Sequence, residues 1–123
     1  MPIKYFVLSI VLSSIFVSPA LAHAPVVERP LLETKEQMVA YATTKALEAR
    51  ISPATVLAVI QCESTWVPTA RGDGGHSRGL VQIHDQYHDI PDELADDPQF
   101  AIGFLVDALA DGKGDMWTCY RNL

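Results

Sequence analysis

Glu63 is the residue whose type and position most strongly indicate chemistry in this sequence. It follows a largely apolar run, residues 54–62, which has the composition of a buried helix. Since a helix turns about 100° per residue, Glu63 falls on the apolar stripe of that helix. The helix dipole also disfavours negative charge near the C-terminal end. A carboxyl group in such a half-apolar setting has a raised pKa, which a general acid needs at neutral pH. The alternative is a glutamate that points to solvent from a frayed last turn.

Local capping signals predict the helices that would position this carboxylate. Thr34 and Gln37 form a capping box that opens a helix over residues 34–50. Ser52 as N-cap, with Pro53 at the first helical position, opens a second helix, which carries the apolar run and ends close behind it. The prediction is a mostly helical domain.

A third helix begins with Asp97 as N-cap and Pro98, and Gly112 and Gly114 end it. Its core side is predicted to consist of Phe100, Ala101, Phe104, Leu105, Ala108 and Leu109. Residues 68–76 are rich in glycine and polar groups and predict an exposed loop. The short apolar segment that follows predicts a strand fragment or a turn of helix.

The N-terminal residues have the pattern of a secretory signal peptide. A short basic lead precedes an apolar stretch, residues 5–17, and an Ala-x-Ala site ends at Ala22. The apolar stretch is shorter than the roughly 20 residues that span a bilayer. We therefore predict a signal peptide over residues 1–22, an extended segment over 23–33 and one domain over 34–123. The location expected is periplasmic or secreted, with no membrane span after cleavage.

Charge and cysteine content narrow the class of protein further. The 123-residue chain has a formal net charge of −6, which gives no electrostatic attraction for nucleic acid. Cys62 and Cys119 are its two cysteines, and in an exported chain a disulfide is the default expectation. Such a bridge would tie the C-terminal segment to the residue beside Glu63. The alternative is a pair of free buried thiols.

The residues around Glu63 form a recognisable order of motifs. Glu63-Ser64 ends the helix, the glycine-rich loop follows, and residues 77–83 read Ser-Arg-Gly-Leu-Val-Gln-Ile. In this order the sequence resembles the lytic transglycosylase domain related to goose-type lysozyme, over roughly residues 38–121. The resemblance implies a single lysozyme-like helical domain with a short irregular or strand segment after the catalytic helix.

The resemblance also implies a reaction. Members of that family cleave the β-1,4 bond between N-acetylmuramic acid and N-acetylglucosamine in peptidoglycan and form a 1,6-anhydromuramoyl product. Glu63 would be the single general acid and base, and the attacking group would be the C6 hydroxyl of the sugar itself. Most glycosidases need two carboxylates. The motif region offers one on an apolar face, which favours the transglycosylase reaction over hydrolysis.

The remaining site residues come from the resemblance. The residues expected to bind substrate or to support the glutamate are Ser64, Ser77, Gly79, Leu80, Gln82 and Tyr120. Larger family members carry a later Ala-Tyr-Asn motif, which is missing here, and Tyr120 is the nearest substitute. Each has a structural alternative: Ser64 could bond its own helix, Gln82 could be an exposed strand residue, and Tyr120 could be a packing aromatic.

Three other functions fit the sequence less well. A goose-lysozyme-like hydrolase would use Asp73 or Asp85 to position water. A metal site would use His76, His84 and His88, whose spacing matches no known zinc motif, so no metal is expected. A non-catalytic cell-wall-binding or assembly protein would keep the fold without using the glutamate. No cofactor is expected. The expected partners are peptidoglycan glycan strands, and cell-envelope machinery stays open.

Overall fold

The computed structural model describes Ala24, Glu28, Arg29 and residues 31–123. The predicted signal peptide lies outside the described residues, and the predicted extended segment lies partly outside them. The described part of the chain is mostly helical with a small antiparallel sheet, which confirms the predicted fold class. None of its helices has the length and apolar character needed to cross a membrane.

Five α-helices and three two-residue strands make up the regular structure of the described residues. The helices are α1 (Lys35–Glu48), α2 (Pro53–Ser64), α3 (Asp92–Ala95), α4 (Pro98–Ala110) and α5 (Thr118–Arg121). The strands are β1 (Arg71–Gly72), β2 (Ser77–Arg78) and β3 (Ile83–His84). Short 3₁₀ turns cover Asp73–Gly75 and Gly114–Met116. The sequence predicts α1, α2 and α4, whereas α3 and α5 are single turns that it does not predict.

Local capping explains where two of the long helices begin. The hydroxyl of Thr34 accepts from the backbone N–H of Gln37 at 3.2 Å, and the Gln37 side chain accepts from the Thr34 N–H at 3.0 Å. The Asp97 carboxylate caps α4 by accepting a backbone N–H at 3.1 Å. Ser52 is the N-cap of α2, as predicted, but its side chain makes no capping hydrogen bond. Pro53, with its fixed φ, begins that helix without it.

The core lies between α1, α2 and α4 and is closed by the turn before β3. The largest fully buried side chains are Val56, Val59, Ile60, Leu80, Val81, Ile102 and Leu105. The predicted core face of α4 is rotated from the observed one. Ile102 and Val106 are buried, whereas Phe100, Phe104 and Leu109 are half-buried and pack at the edge of the core.

The sheet is small but firmly held against α3. Its order is β1-β2-β3, with Arg71 opposite Arg78 in the first antiparallel pair. Arg71 donates to both carboxylate oxygens of Asp96, at 2.9 and 2.8 Å, and Arg78 pairs with Asp92. The predicted exposed loop therefore contains β1 and a 3₁₀ turn, and the predicted strand fragment is a turn followed by β3.

Candidate active site

A cleft of about 490 Å³ lies where the end of α2, the small sheet and the C-terminal segment meet. This volume is within the range of about 300–1,000 Å³ usual for small-molecule sites. Its lining residues are Glu63, Asp73, Ser77, Gln82, Ile83, His84, Tyr87, His88, Phe104, Met116, Trp117, Thr118 and Cys119. The wall combines two carboxylates with several aromatic rings. Such a mixture suits a ligand that has both polar groups and apolar faces.

Glu63 occupies the last turn of α2, at the edge of the buried stripe and not inside it. Thr65 and Trp66 have φ values of 51° and 64°, so the helix stops directly after Ser64 and leaves Glu63 half-buried. Burial of the carboxyl group raises its pKa above the ordinary value.

Two neighbours modify this pKa in opposite directions. A hydrogen bond from the backbone N–H of Cys119 stabilises the carboxylate of Glu63 and lowers its pKa. The nearby negative charge of Asp73 raises it again. Because burial is the largest effect, the net result is a raised pKa. Glu63 is thus a carboxyl group that holds its proton to higher pH than an ordinary glutamate, in an accessible cleft.

Asp73 is a second carboxylate in the cleft, which corrects the expectation that Glu63 has no carboxylate neighbour. Asp73 has a φ of 50° and opens the 3₁₀ turn between β1 and β2. Its carboxylate accepts a hydrogen bond from the hydroxyl of Ser77, which is only 2% exposed. Ser77 therefore orients Asp73. The sequence assigned its hydroxyl to Glu63 or to the substrate.

The predicted disulfide between Cys62 and Cys119 is confirmed, with an S–S distance of 1.99 Å. It links α2 to α5 immediately beside Glu63. As a result, the Cys119 N–H reaches the carboxylate, and residues 116–119 form one wall of the cleft. The backbone donor could not be found from the sequence, because a peptide N–H carries no residue signature.

Trp117 and Gln82 fix two further parts of the cleft. Trp117 is 4% exposed, and its indole N–H donates to the Val81 carbonyl at 2.6 Å. The Gln82 side chain donates to the carbonyls of Gly79 and Ala70, at 3.0 and 3.3 Å. Gln82 therefore lines the cleft as predicted from the resemblance, while its amide N–H groups hold the turn before β3.

Gly79 and Leu80, predicted at the site, lie outside the cleft. Gly79 has a φ of 81°, and a Cβ there would collide with the backbone carbonyl of Ala95. The glycine is therefore needed where the turn meets α3, and not for the approach of a sugar. Leu80 is fully buried in the core.

Ser64 and Tyr120 also take structural roles. The hydroxyl of Ser64 is buried and donates to the Ile60 carbonyl at 3.2 Å, one turn back in its own helix. The ring of Tyr120 packs against Gly114, where no Cβ would fit. Tyr120 does not line the cleft, so its position does not support the predicted role beside Glu63.

The histidines and the two candidate aspartates fall into two places: Asp73, His84 and His88 line the cleft, whereas His76 and Asp85 pair outside it. His76 Nδ1 lies 2.9 Å from Asp85 Oδ1, and neither residue lines the cleft. His84 ends β3 and His88 follows it in a turn, so these two do not share a helix face. Among the described residues, no group of three or more histidines, cysteines or carboxylates could hold a metal ion.

Sequence reasoning missed the aromatic side of the cleft, formed by His84, Tyr87, His88 and Phe104. The available signal was a cluster of rings in a segment that is otherwise polar. Comparison with known proteins found no match to a family model, to a curated protein or to a solved structure. The chemistry of the cleft and the order of motifs around Glu63 are the features that bear on function.

Proposed function

We propose that this chain is a peptidoglycan lytic transglycosylase with a lysozyme-like fold, in which Glu63 is the general acid and then the general base. The observation that carries the proposal is Glu63 itself: a half-buried carboxyl group with a raised pKa in an open cleft. The order of motifs, in which Ser64 follows the glutamate and Gln82 comes later, resembles that of lytic transglycosylases. The proposed substrate class rests on this resemblance.

In the proposed reaction Glu63 first donates a proton and then takes one back. The protonated carboxyl group of Glu63 donates its proton to the glycosidic oxygen as the bond from C1 of N-acetylmuramic acid to that oxygen breaks. The C6 hydroxyl of the same sugar attacks C1 and closes the 1,6-anhydro ring. Its proton passes to the Glu63 carboxylate, which is thereby returned to its starting state. No water is consumed.

The neighbours of Glu63 suit both halves of this cycle. Burial and the charge of Asp73 favour the protonated form, which the first half requires. The Cys119 N–H donates to the carboxylate and stabilises it once the proton has left. The disulfide keeps this donor in place throughout.

A hydrolase of the goose-lysozyme kind is the second candidate, because Asp73 lines the same cleft as Glu63. In that reaction Asp73 would position a water molecule for attack on C1. Asp85 is not favoured for this role, because it pairs with His76 outside the cleft. We retain the transglycosylase because the Asp73 carboxylate is already held by Ser77 and because the motif order is that of the transglycosylases.

The proposed setting is the cell envelope. The predicted signal peptide would export the chain, and the Cys62–Cys119 disulfide suits an oxidising compartment outside the cytoplasm. Peptidoglycan glycan strands would be the substrate, and no cofactor takes part in the proposed reaction.

The proposal is tested by lysis of purified peptidoglycan with Glu63→Gln. This substitution keeps the size of the side chain but removes the proton that it donates, so we expect lysis to fall by at least about 100-fold. Glu36→Gln, in the first turn of α1 and exposed, is the matched control and should lyse at the normal rate. Undiminished lysis by Glu63→Gln would remove Glu63 from the reaction. Absence of lysis by the wild-type protein would leave the non-catalytic wall-binding or assembly function.

A further inference from the structure

Tyr87 is the most exposed aromatic side chain in the part of the chain that the structure describes, and it stands in the wall of the cleft that holds Glu63. It is 78% exposed, so the core does not explain it. Single exposed apolar residues are common on proteins. Tyr87 differs from Leu47, which is 63% exposed on α1, because Tyr87 lines a cleft and Leu47 does not.

The ring of Tyr87 is supported from behind by a stack of other rings. Its centroid lies 4.6 Å from that of His84, and the His84 ring is stacked on His76 with 5.6 Å between centroids. Asp85 holds His76 through the contact of 2.9 Å between Oδ1 and Nδ1. Such a stack limits the positions that the outer ring can take.

The backbone beneath the stack is equally fixed. The His84 carbonyl accepts from the N–H groups of Tyr87 and His88, at 3.2 and 3.1 Å. The His84 side chain accepts from the Gln86 N–H at 3.3 Å through Nδ1. Since these contacts restrict Tyr87 in the ligand-free protein, its contact with a ligand would require less further loss of conformational entropy.

An exposed aromatic ring in the wall of this cleft suits one class of ligand, a sugar. Pyranose sugars carry a patch of C–H groups on one face of the ring, and these groups are slightly positive. The face of an aromatic ring is apolar and slightly negative, so the two faces pack together. The hydroxyl and N-acetyl groups at the edge of the sugar stay free to bond with water or with polar residues of the cleft.

We propose that Tyr87, backed by His84, is a stacking platform for one hexosamine of the glycan strand, at a subsite next to the sugar cleaved at Glu63. This inference rests on the proposed function for its choice of ligand. The platform binds substrate and transition state equally, so it contributes to affinity and not to the chemical step. Tyr87 is a substrate-binding residue in this account and takes no part in proton transfer.

The test measures binding of peptide-free peptidoglycan glycan strands by isothermal titration calorimetry in the Glu63→Gln background, where no bond is cut. Adding Tyr87→Ala should weaken binding by about five- to tenfold, the loss of one aromatic stacking contact. Tyr87→Phe keeps the ring and should bind like the parent, and Leu47→Ala is the control for loss of an exposed apolar side chain. Equal affinity for Tyr87→Ala and the parent would overturn the platform.

Steady-state cleavage of the same strands, with Glu63 intact, separates the two proposals. Tyr87→Ala should raise KM by a similar factor and leave kcat unchanged, as expected for uniform binding. If Tyr87→Ala lowers kcat at unchanged KM, the platform is wrong while the enzyme stands. If the unsubstituted protein binds the strands through Tyr87 but never cleaves them, the proposed function fails and the platform stands. Absence of both binding and cleavage overturns both.

Discussion

Removal of the Cys62–Cys119 disulfide should destabilise the domain and disable the cleft together. The bridge spans 57 residues of sequence. For a loop of this length, the chain entropy that the bridge removes from the unfolded state corresponds to about 4 kcal/mol. A domain of this size has a total stability of about 5–15 kcal/mol, so the loss is a large fraction of the whole.

The double variant Cys62→Ser with Cys119→Ser should therefore melt roughly 15–30 °C lower than the oxidised protein. Urea unfolding followed by circular dichroism measures the free-energy difference directly. The reduced wild-type protein is the matched control, since it loses the bridge without substitution. The double variant itself should not respond to reductant.

The same variant should lose peptidoglycan lysis at temperatures where it is still folded. Without the bridge, α5 is held to α2 less firmly, and the Cys119 N–H no longer stays on the Glu63 carboxylate. A destabilisation below about 1 kcal/mol would contradict the entropic reasoning. Full lysis by a folded double variant would contradict the claim that the bridge holds the site together.

Three more predictions follow from named contacts. Asp73→Asn removes a charge that raises the pKa of Glu63, so the loss of lysis at high pH should begin at a lower pH, while the products stay anhydro sugars. An unchanged pH profile would refute this electrostatic role of Asp73. Glu63→Gln should melt at a higher temperature than wild type at neutral pH, because a carboxyl group with a raised pKa destabilises the fold once it is ionised. The difference in melting temperature should disappear below the ordinary pKa of glutamate. A lower melting temperature for the variant at neutral pH would mean that Glu63 has a structural role. Trp117→Phe leaves the Val81 carbonyl without its donor and should lower the unfolding free energy by about 1–3 kcal/mol in urea titrations, whereas an unchanged value would remove that hydrogen bond from the account.

The long helices were predictable because the signals at their ends are local. The capping box of Thr34 with Gln37, and the pair Asp97-Pro98, act within one turn of chain. Helices α3 and α5 are single turns, too short to show periodicity. The rotated face of α4 has a different cause: Phe104 is as apolar as any core residue, and only the tertiary fold places it in the cleft.

The candidate site also contains residues with a local sequence signal and contacts without one. Glu63 was predictable because a carboxylate behind an apolar run breaks a local pattern. Asp73 reaches the cleft through strand pairing, and the Cys119 N–H reaches it through a disulfide, so neither contact has a local signal. Gly79 shows the reverse case. The sequence shows a glycine at this position of the motif. The need for glycine comes from the carbonyl of Ala95, which only the tertiary fold brings close.

The mass of the products shows whether Glu63 closes the anhydro ring without water. Purified peptidoglycan is digested with the wild-type protein, with Glu63→Gln as the blank, and the muropeptides are weighed by mass spectrometry. We expect 1,6-anhydromuramoyl ends, each lighter by one water than a hydrolytic product, and none from the blank. Reducing ends that carry the extra water, or anhydro ends formed by Glu63→Gln, would contradict ring closure by Glu63.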